Sequence, residues 1–281
     1  MITEKKNEKY WSMTEGVFNC LIDSKRTLAF GKAIKNTVKP GDVVVDTGAG
    51  SGVLAMLAAD AGARIVYAIE VDKKNSDFLQ KTFEMNGYDK KIKLIKGDAT
   101  KVDLPEKVDF IMCEMIATGL IEELQIPAMN NILRFAKKKT KVLLEKYDNY
   151  VDLVFNKNFF YGHEFPIVRY EYADLKNLKS KVLTKKYRYS TTNLSRINTN
   201  SIVDTSMSIK ITHPGLLNAI RISSESMFCD KTKFWDSFAY SYPILLPVDA
   251  QNVKQGDVLK LNLKYEMCGG FKTLSYSLVK K

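Results

Sequence analysis

The sequence has few of the residues that build metal centres and disulfide frameworks. Its 281 residues include four cysteines, which lie far apart at positions 20, 113, 229 and 268 with no Cys-x-x-Cys pair, and two histidines. Metal sites and disulfide-rich folds need such residues in clusters. We therefore expect no metal site and no disulfide scaffold.

Long apolar runs are also missing. The longest apolar stretch, residues 53–71, is interrupted by Asp60, Arg64 and Glu70, whereas a membrane-spanning helix needs about 18 or more apolar residues. The first ten residues are rich in Lys and Glu, and no apolar block follows them, so a secretory signal is not expected. These absences predict a cytoplasmic protein that has no membrane partner.

Basic side chains outnumber acidic ones. The chain carries 43 Lys and Arg against 32 Asp and Glu, a formal net charge of +11. Such a field attracts anionic partners, for example RNA. A solvated lysine-rich surface is at least as good an explanation, so the charge alone leaves both interpretations open.

The first half of the chain predicts an α/β fold. Short apolar runs alternate with longer amphipathic segments, which is typical of a parallel sheet flanked by helices. The predicted strands are residues 43–46, 64–70, 92–96, 108–113 and 141–145, and the clearest predicted helices are 53–61 and 117–138. We expect a Rossmann-like domain with N-terminal helices over residues 1–147.

The second half predicts a β-rich, barrel-like domain over residues 148–281. Apolar and polar residues alternate from Leu259 to Met267, and the same alternation resumes after Gly269-Gly270, which indicates a hairpin with one buried face. A similar alternation covers residues 207–211. The Lys-, Asn- and Ser-rich segment 174–200 is weakly patterned and is predicted to be a mobile loop or an inserted arm.

A glycine-rich turn follows the first predicted strand. Asp46 is followed by Gly48, Gly50 and Gly52, and then by a predicted helix. The spacing lacks the third glycine of the dinucleotide fingerprint, the terminal Lys-Ser or Lys-Thr of a phosphate loop is missing, and Asp46 would repel a pyrophosphate. An acid beside such a turn suits a nucleoside with a cationic tail, as in S-adenosylmethionine.

Two further acids follow neighbouring predicted strands. Glu70 ends the second strand, where a carboxylate can accept hydrogen bonds from both ribose hydroxyls, and Asp98 follows the third strand, where the adenine edge would lie. Parallel strands present their carboxyl ends at one edge, where open α/β sheets bind ligands. The set predicts an S-adenosylmethionine site; the alternative is three turn glycines with three solvated acids.

Several segments resemble class I S-adenosylmethionine-dependent methyltransferases, and within that class the protein arginine N-methyltransferases. They agree in order and spacing at residues 48–54, 58–64, 67–70 and 104–109. Arg26 resembles the arginine of that family's preceding helix, which holds the cofactor carboxylate. The resemblance covers about residues 20 to 147 and implies the same cofactor and a methyltransferase fold.

The segment 113–123 resembles that family's acidic loop. The resemblance implies that Glu114 and Glu123 grip a substrate guanidinium, because each carboxylate can accept bidentate hydrogen bonds from it. Removing the arginine proton beforehand at pH 7 would cost about 9 kcal/mol for a pKa near 13.8, so positioning with late proton loss is more plausible. The alternative is that Glu114 ends a strand and that Glu122 and Glu123 cap the following helix.

The sequence departs from the family at two motifs. The Thr-His-Trp tripeptide, whose His abuts one of the glutamates, corresponds to Lys233-Phe234-Trp235, so the His is missing. In the N-terminal aromatic motif, Tyr10-Trp11 corresponds but the second Tyr is absent.

The leading hypothesis is N-methyl transfer to a guanidinium acceptor, either a protein or a small molecule. Methylation of RNA or of another anionic acceptor is the alternative, favoured by the charge and by the basic segment 174–200. A third hypothesis is a regulatory protein that binds the cofactor without catalysis. A homodimer is one further assembly that the sequence leaves open.

Overall fold

A parallel sheet and a larger antiparallel region follow one another along the chain. We analysed a computed structural model, in which residues 15–172, 175–234 and 242–280 are described. The parallel sheet lies within residues 43–142, and the antiparallel strands lie within residues 144–280. The predicted fold class, a Rossmann-like domain followed by a β-rich region, is confirmed.

Five α-helices lie within the described residues, three of them on the parallel sheet or next to it. They are α1 (Glu15–Ile22), α2 (Ser24–Thr37), α3 (Val53–Asp60), α4 (Lys73–Met85) and α5 (Gln125–Ile132). Asp23 caps α2 by accepting a hydrogen bond from the backbone N–H of Arg26, and Asp72 caps α4 in the same way. Across the described ranges, no helix has the length and apolar content that crossing a membrane requires.

The parallel sheet has its most buried strands at its centre. Its strands are β1 (Val43–Thr47), β2 (Ile65–Glu70), β3 (Ile92–Lys96), β4 (Val108–Cys113) and β5 (Ala136–Val142), in the order β3-β2-β1-β4-β5. Every residue of β1 is buried, as a strand covered on both faces requires. The strand order reverses between β1 and β4, so their carboxyl ends border a crevice.

The antiparallel region is a mixed set of short and long strands. They are β6 (Leu144–Phe155), β7 (Phe159–Phe160), β8 (His163–Glu164), β9 (Arg169–Tyr170), β10 (Lys181–Val182), β11 (Tyr187–Asn193), β12 (Ile202–Lys210), β13 (Gly215–Phe228), β14 (Lys233–Phe234), β15 (Ile244–Val253), β16 (Val258–Glu266) and β17 (Ser275–Lys280). The main sheet has the path β10-β6-β13-β15-β9. The predicted hairpin is confirmed, because β16 pairs with β17 and opposes Leu261 to Leu278.

One hydrophobic core joins the two regions. On one face of the parallel sheet, Phe30 of α2 and Phe110 of β4 belong to the same buried cluster as Ile220 of β13 and Leu261 of β16. A second cluster, on the other face, is confined to the parallel-sheet region. The sequence predicts a domain boundary after residue 147, and strand β6 continues through that position. The boundary stays a prediction.

Three predicted elements are wrong. Residues 117–138 do not form one helix: a 3-10 turn (Thr118–Leu120) and an irregular segment precede the short α5, because Gly119, Leu120 and Glu123 have positive φ angles. The last parallel strand begins at Ala136 instead of residue 141. The segment 174–200 is not a loop throughout, since it contributes β10 and β11 to the main sheet.

Candidate active site

A cleft opens at the carboxyl ends of the parallel strands. It encloses about 1000 Å³ of empty space, including space open to solvent. Its wall is formed by the segments that follow β1, β2, β3 and β4, together with α1 and α2, and includes Arg26, Gly48, Gly50, Glu70, Asp98, Glu114 and Glu123. The structure therefore brings seven of the nine predicted site residues to one cavity.

The turn after β1 needs glycine for two different reasons. Gly48 has a φ of 81°, and a Cβ there would lie 3.1 Å from the side chain of Met115, which follows β4. Gly52 has a φ of 79°, and its Cβ would lie 2.7 Å from Phe83 and 2.8 Å from Leu79 of α4. Gly48 thus allows the turn to approach the segment after β4, whereas Gly52 allows α4 to pack against the start of α3.

Glu70 is a buried carboxylate held by three hydrogen bonds. Its Oε2 accepts from the backbone N–H of Gly50 at 3.1 Å and from Nδ2 of Asn75 at 3.0 Å, and its Oε1 accepts from the backbone N–H of Asp72 at 2.9 Å. Burial raises its pKa, and these bonds oppose that shift. The carboxylate is therefore fixed in the wall, with lone pairs left to accept from a ligand.

Asp98 lies in the turn after β3. Its Oδ1 accepts from the backbone N–H of Thr100 at 2.9 Å and from the hydroxyl of Thr100 at 2.7 Å. Its Oδ2 lies 3.1 Å from Nζ of Lys101. The short turn thus orients this carboxylate by local contacts, as Glu70 is oriented after β2.

Asp46 and Gly52 do not belong to the cleft wall that the described residues form. Asp46 is buried with the rest of β1, and its Oδ2 has no hydrogen-bond partner among the described residues. Burial raises the pKa of Asp46 to about 7, although the charge of Arg26 opposes the shift. The Cα of Gly52 packs against α4.

Arg26 forms an ion pair with Glu114 inside the cleft. Nη2 of Arg26 donates to Oε2 of Glu114, and each side chain is 6% exposed. Nη1 of Arg26 also donates to the carbonyl of Cys20 at 3.3 Å, and the guanidinium lies 5.1 Å from the ring centroid of Phe30. A guanidinium is therefore already bound to one of the two predicted acceptor carboxylates.

Glu123 is the second carboxylate of the acidic loop and is partly buried. Within the described part of the chain its carboxylate accepts no hydrogen bond, and burial with the neighbouring charge of Glu122 raises its pKa to about 8. The charge of Arg26 opposes this shift. Glu122 instead turns to Tyr170 of β9, whose hydroxyl donates to it at 2.5 Å. Of the two adjacent acids, Glu123 faces the cleft.

The second region holds the acidic loop in place. The hydroxyl of Tyr265 donates to the carbonyl of Gly119 at 2.7 Å, and the backbone N–H of Gly119 donates to the hydroxyl of Ser224 at 2.9 Å. The backbone N–H groups of Cys268 and Gly270 donate to the carbonyls of Leu120 and Ile121. Sequence reasoning missed these contacts, because no local pattern links residues more than 100 positions apart.

The position of the missing His is occupied by an aromatic cluster. Phe234 is 6% exposed and packs against Phe30 and Phe228, with both ring centroids 6.0 Å away. Lys233 turns outward to Glu225, with Nζ 2.8 Å from the carboxylate. Trp235, Tyr10 and Trp11 lie outside the described residues. Phe30 in turn lies beside Arg26, so the cluster supports the cation that binds Glu114.

Sequence reasoning also missed Met115 in the cleft wall. Met115 directly follows Glu114 in the chain, and its side chain packs against the Gly48 turn. The signal was present, because Met115 follows a predicted strand at the same sheet edge as Glu70 and Asp98. An apolar residue beside carboxylates gives a ligand a surface on which to pack.

Comparisons with known proteins find similar sequences. Residues 27–144 match the family model of ribosomal protein L11 methyltransferase (PrmA). An uncharacterized protein of Methanocaldococcus jannaschii, MJ1452, is 29% identical over 93% of this chain and 95% of its own length. Protein arginine N-methyltransferase 1 of Dictyostelium discoideum is 43% identical over 109 residues, which cover 37% of this chain but 31% of that protein.

Solved structures extend the likeness to nearly the whole chain. The PRMT1 enzyme-prozyme heterotetrameric complex with AdoHcy from Trypanosoma brucei has a TM-score of 0.75 at 15% identity and covers 94% of this chain and 96% of that one. Protein arginine methyltransferase 10 of Arabidopsis thaliana has a TM-score of 0.74 at 18% identity, with the same coverage. The acids, the cation and the glycine turn of the cleft suit S-adenosylmethionine, which is the cofactor. The chain is a class I S-adenosylmethionine-dependent methyltransferase, and its fold resembles that of the protein arginine N-methyltransferases.

Proposed function

We propose that this chain methylates a guanidinium nitrogen of an arginine-like acceptor. The observation that carries the proposal is the ion pair in the cleft, in which Glu114 binds the guanidinium of Arg26 while Glu123 borders the same cavity. Both carboxylates are largely withdrawn from solvent, where charge-assisted hydrogen bonds to a planar cation are strongest. The likeness to proteins named arginine methyltransferases supports the same acceptor.

We name the two ends of the cleft by their acids. The cofactor half contains Gly48, Gly50, Glu70 and Asp98, and the acceptor half contains Glu114 and Glu123. We propose that Glu70 accepts hydrogen bonds from the ribose hydroxyls and that Asp98 contacts the adenine edge. Arg26 holds the cofactor carboxylate from between the halves. Asp46 and Gly52 lie outside the wall, and Gly52 contributes close packing.

The acceptor half positions the nucleophile. S-adenosylmethionine supplies an electrophilic methyl group when it is bound. Glu114 and Glu123 hold two edges of the guanidinium, which fixes one nitrogen towards the cofactor half and concentrates positive charge on the other nitrogens. Binding of this cation lowers the pKa of Glu123 from about 8, because an opposite charge favours the carboxylate. An ionised Glu123 can then accept the proton that the methylated nitrogen loses late in the step.

An anionic acceptor is less well supported. RNA remains the alternative because Lys179, Lys181, Lys185 and Lys186 are exposed on and around β10. The acceptor half itself is lined by two carboxylates, which would repel a phosphate placed between them. The basic surface and the acidic cleft thus favour different acceptors, and the group that receives methyl must enter the cleft.

We further propose that the chain assembles as a homodimer. Apolar side chains are exposed on the segment around β7–β9, including Phe159 (53%), Tyr161 (95%) and Ile167 (59%). A second exposed apolar set, with Phe18, Ile22 and Leu28, lies on α1 and α2. Two unlike patches on one chain can cover each other twice across a two-fold axis. Light scattering of the wild type against Tyr161→Lys tests this assembly.

The acceptor is tested by offering four substrates to the purified full chain. They are an arginine-containing peptide, the same peptide with lysine in place of arginine, free arginine, and RNA, each with radiolabelled S-adenosylmethionine. We expect label on the arginine peptide or on free arginine, and mass spectrometry should place the methyl group on the guanidinium. Label on RNA, or on the lysine peptide alone, would contradict the proposal and leave the methyltransferase assignment standing.

A further inference from the structure

The side-chain amide of Gln125 bonds to the backbone on both sides of Glu114. Gln125 is the first residue of α5 and is 1% exposed. Its Nε2 donates to the carbonyl of Cys113 at 3.0 Å, and its Oε1 accepts from the backbone N–H of Met115 at 2.9 Å. The Cys113 thiol also lies 3.5 Å from Oε1.

These two bonds hold the two peptide groups that flank Glu114. The carbonyl of Cys113 belongs to the peptide before Glu114, and the N–H of Met115 belongs to the peptide after it. When both peptide planes are fixed, the backbone dihedrals of Glu114 are fixed, and so is the direction of its Cα–Cβ bond. A primary amide supplies one donor and one acceptor side by side, which matches this pair of backbone groups.

The same amide links the two carboxylates of the acceptor half. Gln125 stands two residues after Glu123, which has a φ of 34° in the irregular segment before α5. Its side chain thus closes the loop from the end of β4 to the start of α5 and sets the separation of Glu114 and Glu123. It also orients Met115, whose side chain contacts the Gly48 turn of the cofactor half.

We infer that Gln125 is a positioning residue for methyl transfer: its amide fixes Glu114 relative to Glu123 and to the cofactor turn. The inference rests on the proposed function of these two carboxylates. Gln125 does not line the cleft that the described residues form, so it acts on the acceptor through Glu114. A displacement of about 1 Å at such a group can reduce a rate about 100-fold.

The test compares Gln125→Met with Gln125→Glu. Methionine fills similar space and removes both bonds, whereas glutamate keeps the shape but faces the Cys113 carbonyl with a second acceptor. Asn130→Ala is the matched control, because Asn130 is also in α5 and its amide also bonds two backbone groups, both of Asn198, at 2.8 Å each. Gln125→Met and Asn130→Ala each remove two hydrogen bonds made by a side chain of α5, and Gln125→Glu disturbs one.

Two measurements decide the inference. In steady-state assays with the arginine peptide, we expect Gln125→Met and Gln125→Glu to lower kcat/KM about 100-fold, mainly through kcat, while Asn130→Ala stays within about twofold. Cofactor affinity measured by calorimetry should stay within about threefold in all variants. Hydrogen exchange at the Met115 amide should become faster in Gln125→Met, which removes its acceptor, and stay unchanged in Asn130→Ala. Gln125→Glu keeps an acceptor for that amide and loses the bond to the Cys113 carbonyl.

The outcomes separate this inference from the proposed function. Unchanged exchange at Met115 in Gln125→Met, or unchanged kcat/KM in both Gln125 variants, would overturn the positioning role. Equal losses in Asn130→Ala and Gln125→Met would also overturn it, since they would indicate general destabilisation. If the wild type transfers no methyl group to arginine, the proposed function fails, and the exchange comparison still decides whether Gln125 holds the backbone of Glu114.

Discussion

The two halves of the cleft hold their carboxylates in opposite ways. In the cofactor half, Glu70 accepts three hydrogen bonds from the chain around it, and Asp98 is oriented by Thr100 within its own turn. In the acceptor half, Glu123 accepts no hydrogen bond from the described residues, and Glu114 is paired with Arg26. The cofactor half is held by hydrogen bonds without a ligand, whereas the acceptor half contains Glu123, whose raised pKa a bound cation would lower.

This difference follows from where the supporting residues lie in the chain. The partners of Glu70 and Asp98 are at most 20 residues away, so each forms with its own strand and turn. The acidic loop depends on Tyr265, Cys268 and Gly270, about 150 residues later. Buried carboxylates without hydrogen bonds are unfavourable. A distant scaffold is therefore needed to hold the acceptor half in its strained shape.

The largest expected effect tests the acceptor half. Glu114→Gln and Glu123→Gln keep the side-chain shape and remove charge, so each should reduce turnover by about 10²–10³-fold, the loss typical of one preorganised electrostatic group. The double variant should lose less than the product of the two, because both residues bind one guanidinium. Steady-state transfer to the arginine peptide measures this.

Glu122→Gln is the control for that pair. Glu122 is adjacent to Glu123 but bonds to Tyr170 instead of lining the cleft, so we expect its turnover to change much less. Cofactor affinity should be retained in the two cleft variants. Full activity in both would contradict the proposed clamp, and fully multiplicative losses would indicate that the two carboxylates act separately.

The second effect tests the cofactor half. Glu70→Ala should weaken S-adenosylmethionine binding by about 1.5–3 kcal/mol, the range for hydrogen bonds to a charged group. Calorimetry measures the affinity, and Glu84→Ala on the exposed face of α4 is the control. An unchanged affinity in Glu70→Ala, or a wild type that binds a nicotinamide dinucleotide more tightly, would contradict the assignment of Glu70.

The contrast also explains what could be predicted from the sequence. The cofactor half was predictable because buried parallel strands are continuous apolar runs and their carboxyl ends share one edge. The acidic loop was predicted as part of a helix, since its apolar spacing is helical. Gly119, Leu120 and Glu123 adopt positive φ angles there, and contacts from the second region, which no local pattern encodes, stabilise them.

The strands of segment 174–200 could not be predicted, because the segment is rich in polar residues. β11 pairs with β6 through backbone hydrogen bonds. Its outward residues are polar, and Lys, Ser and Thr surround Tyr187 and Tyr189. The alternation of apolar and polar residues is therefore weak in this strand. Membership of a sheet was set here by the neighbouring strand rather than by the hydrophobicity of the segment itself.

The third effect tests whether Glu123 stays protonated in the folded chain. The folded-state pKa of Glu123 is raised from 4.5 to about 8, so between these values the folded chain holds a proton that the unfolded chain has lost. The free energy of unfolding should therefore fall as pH rises from about 5 to 8, by up to about 1.4 kcal/mol per pH unit from this group.

Denaturant titrations at several pH values measure that slope. Glu123→Gln should flatten it, because glutamine does not titrate. Asp46, with a pKa raised to about 7, contributes a slope of the same sign, so part of the dependence should remain. Glu70→Gln should flatten the slope less, since three hydrogen bonds oppose the shift there. Equal slopes in the wild type and Glu123→Gln would indicate that Glu123 is ionised in the folded protein.

The smallest expected effect concerns the basic surface. Reversing Lys179, Lys181, Lys185 and Lys186 to Glu should leave turnover on the arginine peptide within about twofold, because none of these exposed residues lines the cleft. The charge-matched control reverses four other exposed lysines, Lys81, Lys90, Lys91 and Lys93. If RNA is the acceptor, only the first variant should bind nucleic acid much more weakly, and the slope of log affinity against log salt should fall by about 0.7–0.9 for each phosphate that is no longer neutralised. If nucleic-acid affinity falls equally and only slightly in both variants, the lysines belong to a solvated surface. The two halves of the cleft would then alone determine the acceptor.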